Sequence, residues 1–252
     1  MKRVALAAAA ALIAGPALAA DLPAPPPPQA PAYVPGVTAF YNWSGIYFGA
    51  NVGGSFDSQG APNNTIATGA LAGTPTGAVS HNSTGIAAGG QIGINFQNGP
   101  WVFGIEGDAD WLSNKAFTHG FTATGTDQHV FTLDLLSTVR GRVGYAFDRA
   151  LFYGTGGFAM GDYSTTRTQT SGTFMSAAAG TAETFSKLRL GWTAGGGIEY
   201  ALGDNWTVRA EYLFVGLQPL TYTFPLANIR QATPNEYVQV VRAGLNFKFG
   251  GF

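Results

Sequence analysis

The sequence predicts an all-β protein, an eight-stranded antiparallel up-and-down transmembrane β-barrel. Three observations point there. Eight segments alternate apolar and polar residues with the period of two that extended strands impose. The connections between them alternate between short turns and long Gly/Ser/Thr/Ala-rich stretches. Charged residues are only 11% of the 252-residue chain, against about 25% in ordinary soluble domains. Beyond the leader, however, no run approaches the roughly 18 apolar residues of a membrane-spanning helix.

The chain begins with Met1-Lys2-Arg3, an Ala/Leu-rich core and Ala17-Leu18-Ala19. A basic start, a short apolar run and an A-x-A site predict a secretory signal peptide over 1–19. Residues 20–41 form a Pro-rich periplasmic lead, with Pro25 to Pro28 consecutive, a composition that favours an extended spacer over a sheet ladder. The barrel is expected over 42–252. The chain has no cysteine, which excludes a disulfide framework. It has 14 acidic against 13 basic residues, and Lys2 and Arg3 leave with the leader. That balance gives no support for nucleic-acid binding.

The first strand, Trp43 to Phe56, sets Ile46, Phe48 and Val52 against Tyr47, Asn51 and Ser55. The second runs from Gly85 to Phe96. The third, Trp101 to Leu112, opposes Trp101, Phe103, Ile105 and Trp111 to Glu106, Asp108 and Asp110. In the fourth, Phe131 to Tyr145, Leu133, Leu135, Val139 and Val143 oppose Asp134, Arg140 and Arg142. The fifth, Leu151 to Tyr163, has two competing apolar sets, and Asp162 sets its phase by being placed inside. The sixth, Leu188 to Leu202, turns Arg189 and Glu199 inward; the seventh, Trp206 to Phe214, does the same with Arg209 and Glu211. The eighth, Tyr237 to Phe249, sets Val241, Ala243, Leu245, Phe247 and Phe249 against Arg242 and Lys248. Every charged residue in these segments thus falls on the face opposite the apolar one, which suits a barrel with lipid outside and a polar interior.

Tight turns are expected at Gln97 to Pro100, around Asp148-Arg149-Ala150, and at Gly203 to Asn205, where Gly, Pro, Asn and Asp cluster. The turn at Gly203 to Asn205 puts Leu202 opposite Trp206 and Glu199 opposite Arg209, and predicts that those two charges pair. Asp57–Thr84, Ser113–Val130, Ser164–Lys187 and Val215–Glu236 are expected to be long outer loops. Aromatics gather at segment ends. Trp43, Trp101, Trp206, Phe247 and Phe249 are assigned to one interface girdle, and Phe56, Trp111, Phe131 and Tyr163 to the other.

Three stretches carry a family resemblance. They are Tyr41-Asn42-Trp43-Ser44-Gly45-Ile46-Tyr47-Phe48-Gly49 after the Pro-rich lead, Gly154-Thr155-Gly156-Gly157-Phe158-Ala159-Met160-Gly161, and Val241-Arg242-Ala243-Gly244-Leu245-Asn246-Phe247-Lys248-Phe249. With them, essentially the whole mature chain resembles the small outer-membrane β-barrels related to the OmpA transmembrane domain, in particular the porin-family or surface-antigen barrels of Gram-negative cell envelopes. The resemblance implies localisation in the cell outer membrane. It also implies contact with outer-membrane lipid and lipopolysaccharide, and insertion by the barrel assembly machinery through the C-terminal strand. In one respect the chain departs from the family: Gly250 and Gly251 leave Phe252 out of phase with Phe249.

The chemistry-bearing residues point to a plugged lumen. Glu106, Asp108, Asp110, Asp134, Asp162, Glu199 and Glu211 are set to face Arg140, Arg142, Arg189, Arg209, Arg242 and Lys248. An eight-stranded barrel is just wide enough to be filled by such side chains. His81, His119 and His129 lie in or beside the loops, without the spacing of a metal site and without cysteine to help them. They are weak ligand candidates, so neither a metal nor a cofactor is expected. No fixed arrangement points to a nucleophile, so the chain reads as a non-enzyme. The expectation is a monomeric structural and surface-interacting barrel, with four mobile extracellular loops and a lumen closed by ion pairs. A narrow small-solute porin is the alternative, and haem binding through the loop histidines is the third reading.

Overall fold

The period-two pattern becomes strands that run well past its apolar portion. The computed structural model describes residues 41–76, 81–122, 125–174 and 177–250. In chain order the described residues form β1 (Gly45–Gln59), β2 (Asn63–Ile66), β3 (Pro75–Thr76), β4 (His81–Asn98), β5 (Trp101–Thr122), β6 (Gly125–Phe147) and β7 (Ala150–Phe174). There follow β8 (Ala177–Ala178), β9 (Ala182–Ala201), β10 (Trp206–Leu217), β11 (Leu220–Phe224), β12 (Ile229–Thr233) and β13 (Glu236–Phe249). The signal peptide and nearly all of the Pro-rich lead, as well as Phe252, lie outside the described residues.

Eight of these strands, β1, β4, β5, β6, β7, β9, β10 and β13, form a ring in which each pairs antiparallel with the next. β1 closes the ring against β13, with Ile46 opposite Phe249 and Gln59 opposite Glu236. Closure leaves no free edge at this level, so every backbone ladder finds a partner. The three expected tight turns are present, with Gly99 and Asp148 at positive φ, which glycine and aspartate tolerate. All three lie at one end, the turn end.

At the other end the four long stretches are not free loops. β5 continues to Thr122 and pairs with β6 from Gly125 onward, and β7 likewise extends to Phe174 and pairs with β9 from Ala182 onward. These stretches are rich in threonine, whose β-branched side chain suits a pleated strand. Their polar-on-polar alternation hides the period that apolar residues reveal. The first and last stretches contribute β2, β3, β11 and β12, which pair in the order β11-β12-β2-β3 to make a small second sheet. This sheet is a lid. Its inner residues Ile66, Tyr222, Phe224 and Ile229 form a core with Ala116, Phe131 and Tyr163 of the extended barrel strands.

The outer surface is apolar where the sequence places it. Ile46, Phe103, Ile105, Trp111, Val139, Trp192, Ile198 and Leu245 are exposed, with Trp111 at 72%. Five of these assignments change. Trp43 is buried, not an interface residue, because β1 begins only at Gly45 and the preceding chain turns in beneath the barrel. Phe131 and Tyr163 point into the core below the lid instead of joining a girdle. Asp134 is exposed because a bulge between Leu133 and Leu135 reverses the strand's phase there. Asp162 is also exposed: Phe152, Phe158 and Met160 form the outward set of β7, while Leu151, Tyr153 and Tyr163 face in. The premise that strand charges always face the lumen fails at the edge of the apolar band, where an outward charge reaches polar surroundings.

Candidate functional site: the layered interior

β5 passes through every layer of the interior. Its inward residues are Val102, then Glu106, Asp108 and Asp110, then Leu112, and then Ala116. Each joins a different group. Val102 packs at the turn end with Tyr41, Trp43, Leu151, Tyr153 and Ala201. The three acids enter an ionic layer. Leu112 belongs to an apolar layer with Leu133, Leu136, Leu213, Val215 and Val240. Ala116 belongs to the core under the lid.

The ionic layer is one connected network. Arg140 donates to Glu106, to Asp108 at 2.8 Å and to Glu211 at 2.9 Å. Arg242 pairs with Asp110, with Asp108 at 3.2 Å and with Glu211 at 2.7 Å. Arg209 donates to Glu106 at 2.6 Å, and Arg142 to Glu199 at 2.7 Å. Tyr47 donates to Glu106 at 2.5 Å, and Tyr153 to Glu211 at 3.2 Å. The Arg142 guanidinium lies 3.9 Å from the Tyr153 ring centroid. Breaking a buried pair of this kind costs about 3–5 kcal/mol, because the remaining charge stays desolvated.

Glycines make room for these long side chains. The residue opposite Arg140 is Gly157, opposite Arg142 Gly104, opposite Arg209 Gly244 and opposite Arg242 Gly53. A Cβ added at Gly157 would stand 2.8 Å from the Arg140 Cα, so alanine there would displace the strand or the arginine.

Of the sequence-assigned lumen charges, Glu106, Asp108, Asp110, Arg140, Arg142, Glu199, Arg209, Glu211 and Arg242 come together. Lys248 is buried apart from them, at the turn end. It donates to the Asn42 carbonyl and lies 4.2 Å from the Tyr41 ring centroid. Arg189 belongs to another cluster, near the lid. It donates to Glu236, to the Gln218 carbonyl at 3.0 and 2.7 Å, and to the Pro234 carbonyl at 2.9 Å. Gln218 and Pro234 flank the β11–β12 hairpin, so a single guanidinium holds both feet of the lid. Asp134 and Asp162 are outside the lumen.

A third set lies near the tips of the long strands. Arg167 donates to Asp127 at 2.7 Å, and Glu183 accepts from the backbone amides of Leu226 and Ala227 at 2.7 and 3.0 Å. Glu183 thereby pins the tip of the lid hairpin. Asp57, Asp127, Arg167, Glu183 and Glu236 all fall in stretches the sequence reading treated as loops. The signal that could have found them is the inward alternation Asp127, His129, Phe131, Leu133, which continues the strand's own period.

His119 and His129 do not converge, and the side chain of His81 lies outside the described residues. His129 is buried, 3.4 Å from Asp127 and stacked on Phe131. His119 is exposed, opposite Gln128 on the outward face. The two thus lie on opposite sides of the same sheet.

Outside the ring, aromatics mark the turn-end rim. Phe249 stacks on Phe48 at 5.2 Å, and Trp206 meets Phe247 edge-on at 5.0 Å. Trp101 meets Tyr145 edge-on at 5.3 Å. Rings at this level can sit half in lipid and half in water.

A closed β-ring with an apolar outside and an interior filled with charges and side chains is the build of a small outer-membrane barrel protein. Sequence comparison gives the family: the model of the outer membrane protein beta-barrel domain matches residues 5–249, and the chain belongs to that family. It is 34% identical to the 31 kDa outer-membrane immunogenic protein of Brucella melitensis biotype 1, over 99% of this chain and 100% of that protein. It is 28% identical to the 22 kDa outer membrane protein of Rhizobium leguminosarum bv. viciae, over 64% of this chain and 66% of that one. Among solved structures it is similar to OprG from Pseudomonas aeruginosa, with 12% identity and a TM-score of 0.47 over 82% of this chain and 97% of that one. Neisserial surface protein A gives 14% identity and a TM-score of 0.41 over 82% and 98%. The protein is an outer-membrane β-barrel, located in the cell outer membrane.

Proposed function

We propose that this protein is a closed, monomeric surface-display barrel: its wall anchors it in the outer membrane, its lumen conducts no solute, and its lid and strand tips meet the exterior. The observation that carries this reading is the stacking of four side-chain layers in the lumen, at the turn end, in the ionic network, around Leu112 and Leu213, and under the lid. Ion pairs alone could rearrange to pass an ion. A cluster of buried Leu and Val side chains beside them opposes that, because an ion passing it would lose hydration against apolar walls.

The lid end is the exterior one on this reading. The short turns lie at the opposite end, and short turns of such barrels are periplasmic. The immunogenic character in the name of the Brucella relative supports exposure of some part of the fold. Insertion through β13 and contact with outer-leaflet lipopolysaccharide belong to the same proposal. A cysteine placed at Leu71, exposed on the lid side of the chain, tests the orientation. A membrane-impermeant maleimide should label Leu71→Cys on intact cells; labelling only after the outer membrane is broken would reverse the orientation.

A further inference from the structure

The lid is made from the same chains as half of the wall. β10 leads into β11, β12 into β13, β1 into β2 and β3 into β4, so the lid order β11-β12-β2-β3 repeats the wall order β10-β13-β1-β4. The last row of the wall sets Leu217, Glu236 and Gln59 abreast. The first three-chain row of the lid sets Thr221, Ala232 and Asn63 abreast. Between the two rows each chain passes through a proline: Pro219, Pro234 and Pro62. The connection from β3 to β4 lies outside the described residues.

A row of prolines makes a crease. Proline has no N–H to give to a ladder, and Pro234 stands on the middle chain with a neighbour on each side, so the sheet cannot run unbroken from wall to lid. Three of the six prolines in 42–252 stand on this line. The others serve a tight turn (Pro100), the tip of the lid hairpin (Pro225) and the short β3 (Pro75). The chains lie close along the crease: a Cβ added at Gly60 would stand 3.3 Å from the Pro234 ring.

At its edges the lid is separate from the wall. Among the described residues no ladder joins β11 to β9 or β3 to β5. Side chains fasten it instead, and two charged fastenings come from β9. Arg189 grips the crease through the Gln218 and Pro234 carbonyls and Glu236. Glu183, six residues and about 20 Å away along β9, holds the Leu226 and Ala227 amides at the far tip. Between them Phe185 stacks on Tyr222 at 4.3 Å. A sheet held in this way opens by breaking far fewer hydrogen bonds than a stretch of wall would.

We propose that β2, β3, β11 and β12 form one hinged flap, which turns on the proline crease and is latched by Arg189 and Glu183. Opening uncovers Ala116, Phe131 and Tyr163 on the barrel side and Ile66, Phe224 and Ile229 beneath the flap. The cluster around Leu112 and Leu213 lies wholly on wall strands and stays in place. The mouth thus has two states, an apolar cup and a covered one, above a lumen that is closed in both. Neither state depends on which end of the barrel faces the exterior.

The test uses the full refolded chain in two measurements. In hydrogen exchange, Arg189→Met should speed the amides of β2, β11 and β12 together, by about tenfold or more for the loss of charge-assisted hydrogen bonds. Glu183→Gln should do the same more weakly, and the outer halves of β6 and β7, around 126–132 and 164–168, should be unchanged in both. The chain has no cysteine, so spin labels on a His119→Cys/Arg230→Cys background report the distance from the flap to β5; both positions are exposed. Arg189→Met or Glu183→Gln should increase the share of a second, longer distance that wild-type protein already shows. A single unchanged distance in wild-type protein and in every variant that folds would overturn the hinge, and with faster exchange it would mean that the lid strands unfold where they lie. Faster exchange of β11 alone, or of β6 and β7 as much as the lid, would overturn it as well.

Discussion

Glu199 and Arg209 stand directly opposite each other on β9 and β10, yet they do not form an ion pair. Arg209 reaches across the lumen to Glu106 at 2.6 Å, and Glu199 accepts from Arg142 at 2.7 Å, from Thr207 at 2.5 Å and from Asn246 at 2.8 Å. The lumen is narrow enough that the far wall competes with the neighbouring strand. Cross-strand register therefore determines which charges share a level, but not which ones bond.

Coupling should follow the bonds rather than the register. In a double-mutant cycle on refolded protein, Arg209→Met with Glu106→Gln should give an interaction energy of about 1–3 kcal/mol, and Arg209→Met with Glu199→Gln clearly less. Equal coupling in both cycles would show that the interior rearranges on mutation.

The tryptophans should divide by environment. Trp43 is 1% exposed at the turn-end mouth, while Trp111 is 72% exposed on the outer face. In bilayers containing brominated acyl chains, a variant retaining only Trp111 should be strongly quenched, and one retaining only Trp43 hardly at all. Trp43→Ala should destabilise the fold by about 3–5 kcal/mol as a core truncation. Strong quenching of Trp43 would return it to the interface girdle.

How much of this was legible from the sequence depended on what each side chain reported. Apolar/polar alternation exposed the membrane-level strands and the charges of β5, β10 and β13, because there the two faces differ most. It was silent where both faces are polar, so Thr126–Val130 and Ser164–Ser171 looked like loops. It misled at two points for one reason: a bulge at Asp134 and the band edge at Asp162 let a charge face outward, where a uniform inside–outside rule has no place for it. The lid was beyond reach because its pairing joins residues near 65 to residues near 230. No local pattern encodes that.

Lid stability should fall as pH rises. Asp57 and Glu236 lie just beyond the membrane-spanning stretches, taken as 46–56 on β1 and 239–249 on β13. Burial raises the Asp57 carboxyl to about 6, against the hydrogen bond it shares with Glu236. Burial and the Asp57 charge raise Glu236 as well. Both groups bind protons more tightly when folded. Their contribution is thus complete below the unfolded value of about 4, and it is lost as pH rises through about 6 and beyond. Hydrogen exchange of β11 and β12 amides, corrected for intrinsic rate, should show less protection at pH 8 than at pH 5. Asp57→Asn should flatten the difference; a steeper one would contradict the pairing.

The closing strand should depend on Phe249. Its ring packs on both Phe48 and Phe247, at 5.2 and 5.0 Å, and so fastens β13 to β1 at the lipid-facing rim. Phe249→Ala should reduce the folded fraction reaching the membrane more than deletion of residues 250–252 does. Folded protein is measured by its shifted mobility in unboiled samples on SDS gels. Loss of assembly on the deletion alone would place the sorting signal in the last three residues.

Single-channel recording of the full refolded chain in planar bilayers addresses the closed lumen most directly. The layered interior predicts that most insertions give no stable conductance. An Arg140→Ala/Leu213→Ala variant, which thins the ionic and apolar layers together, should give more frequent openings than wild type. Stable, porin-sized steps from wild-type protein in most insertions would contradict the account and establish the barrel as a pore.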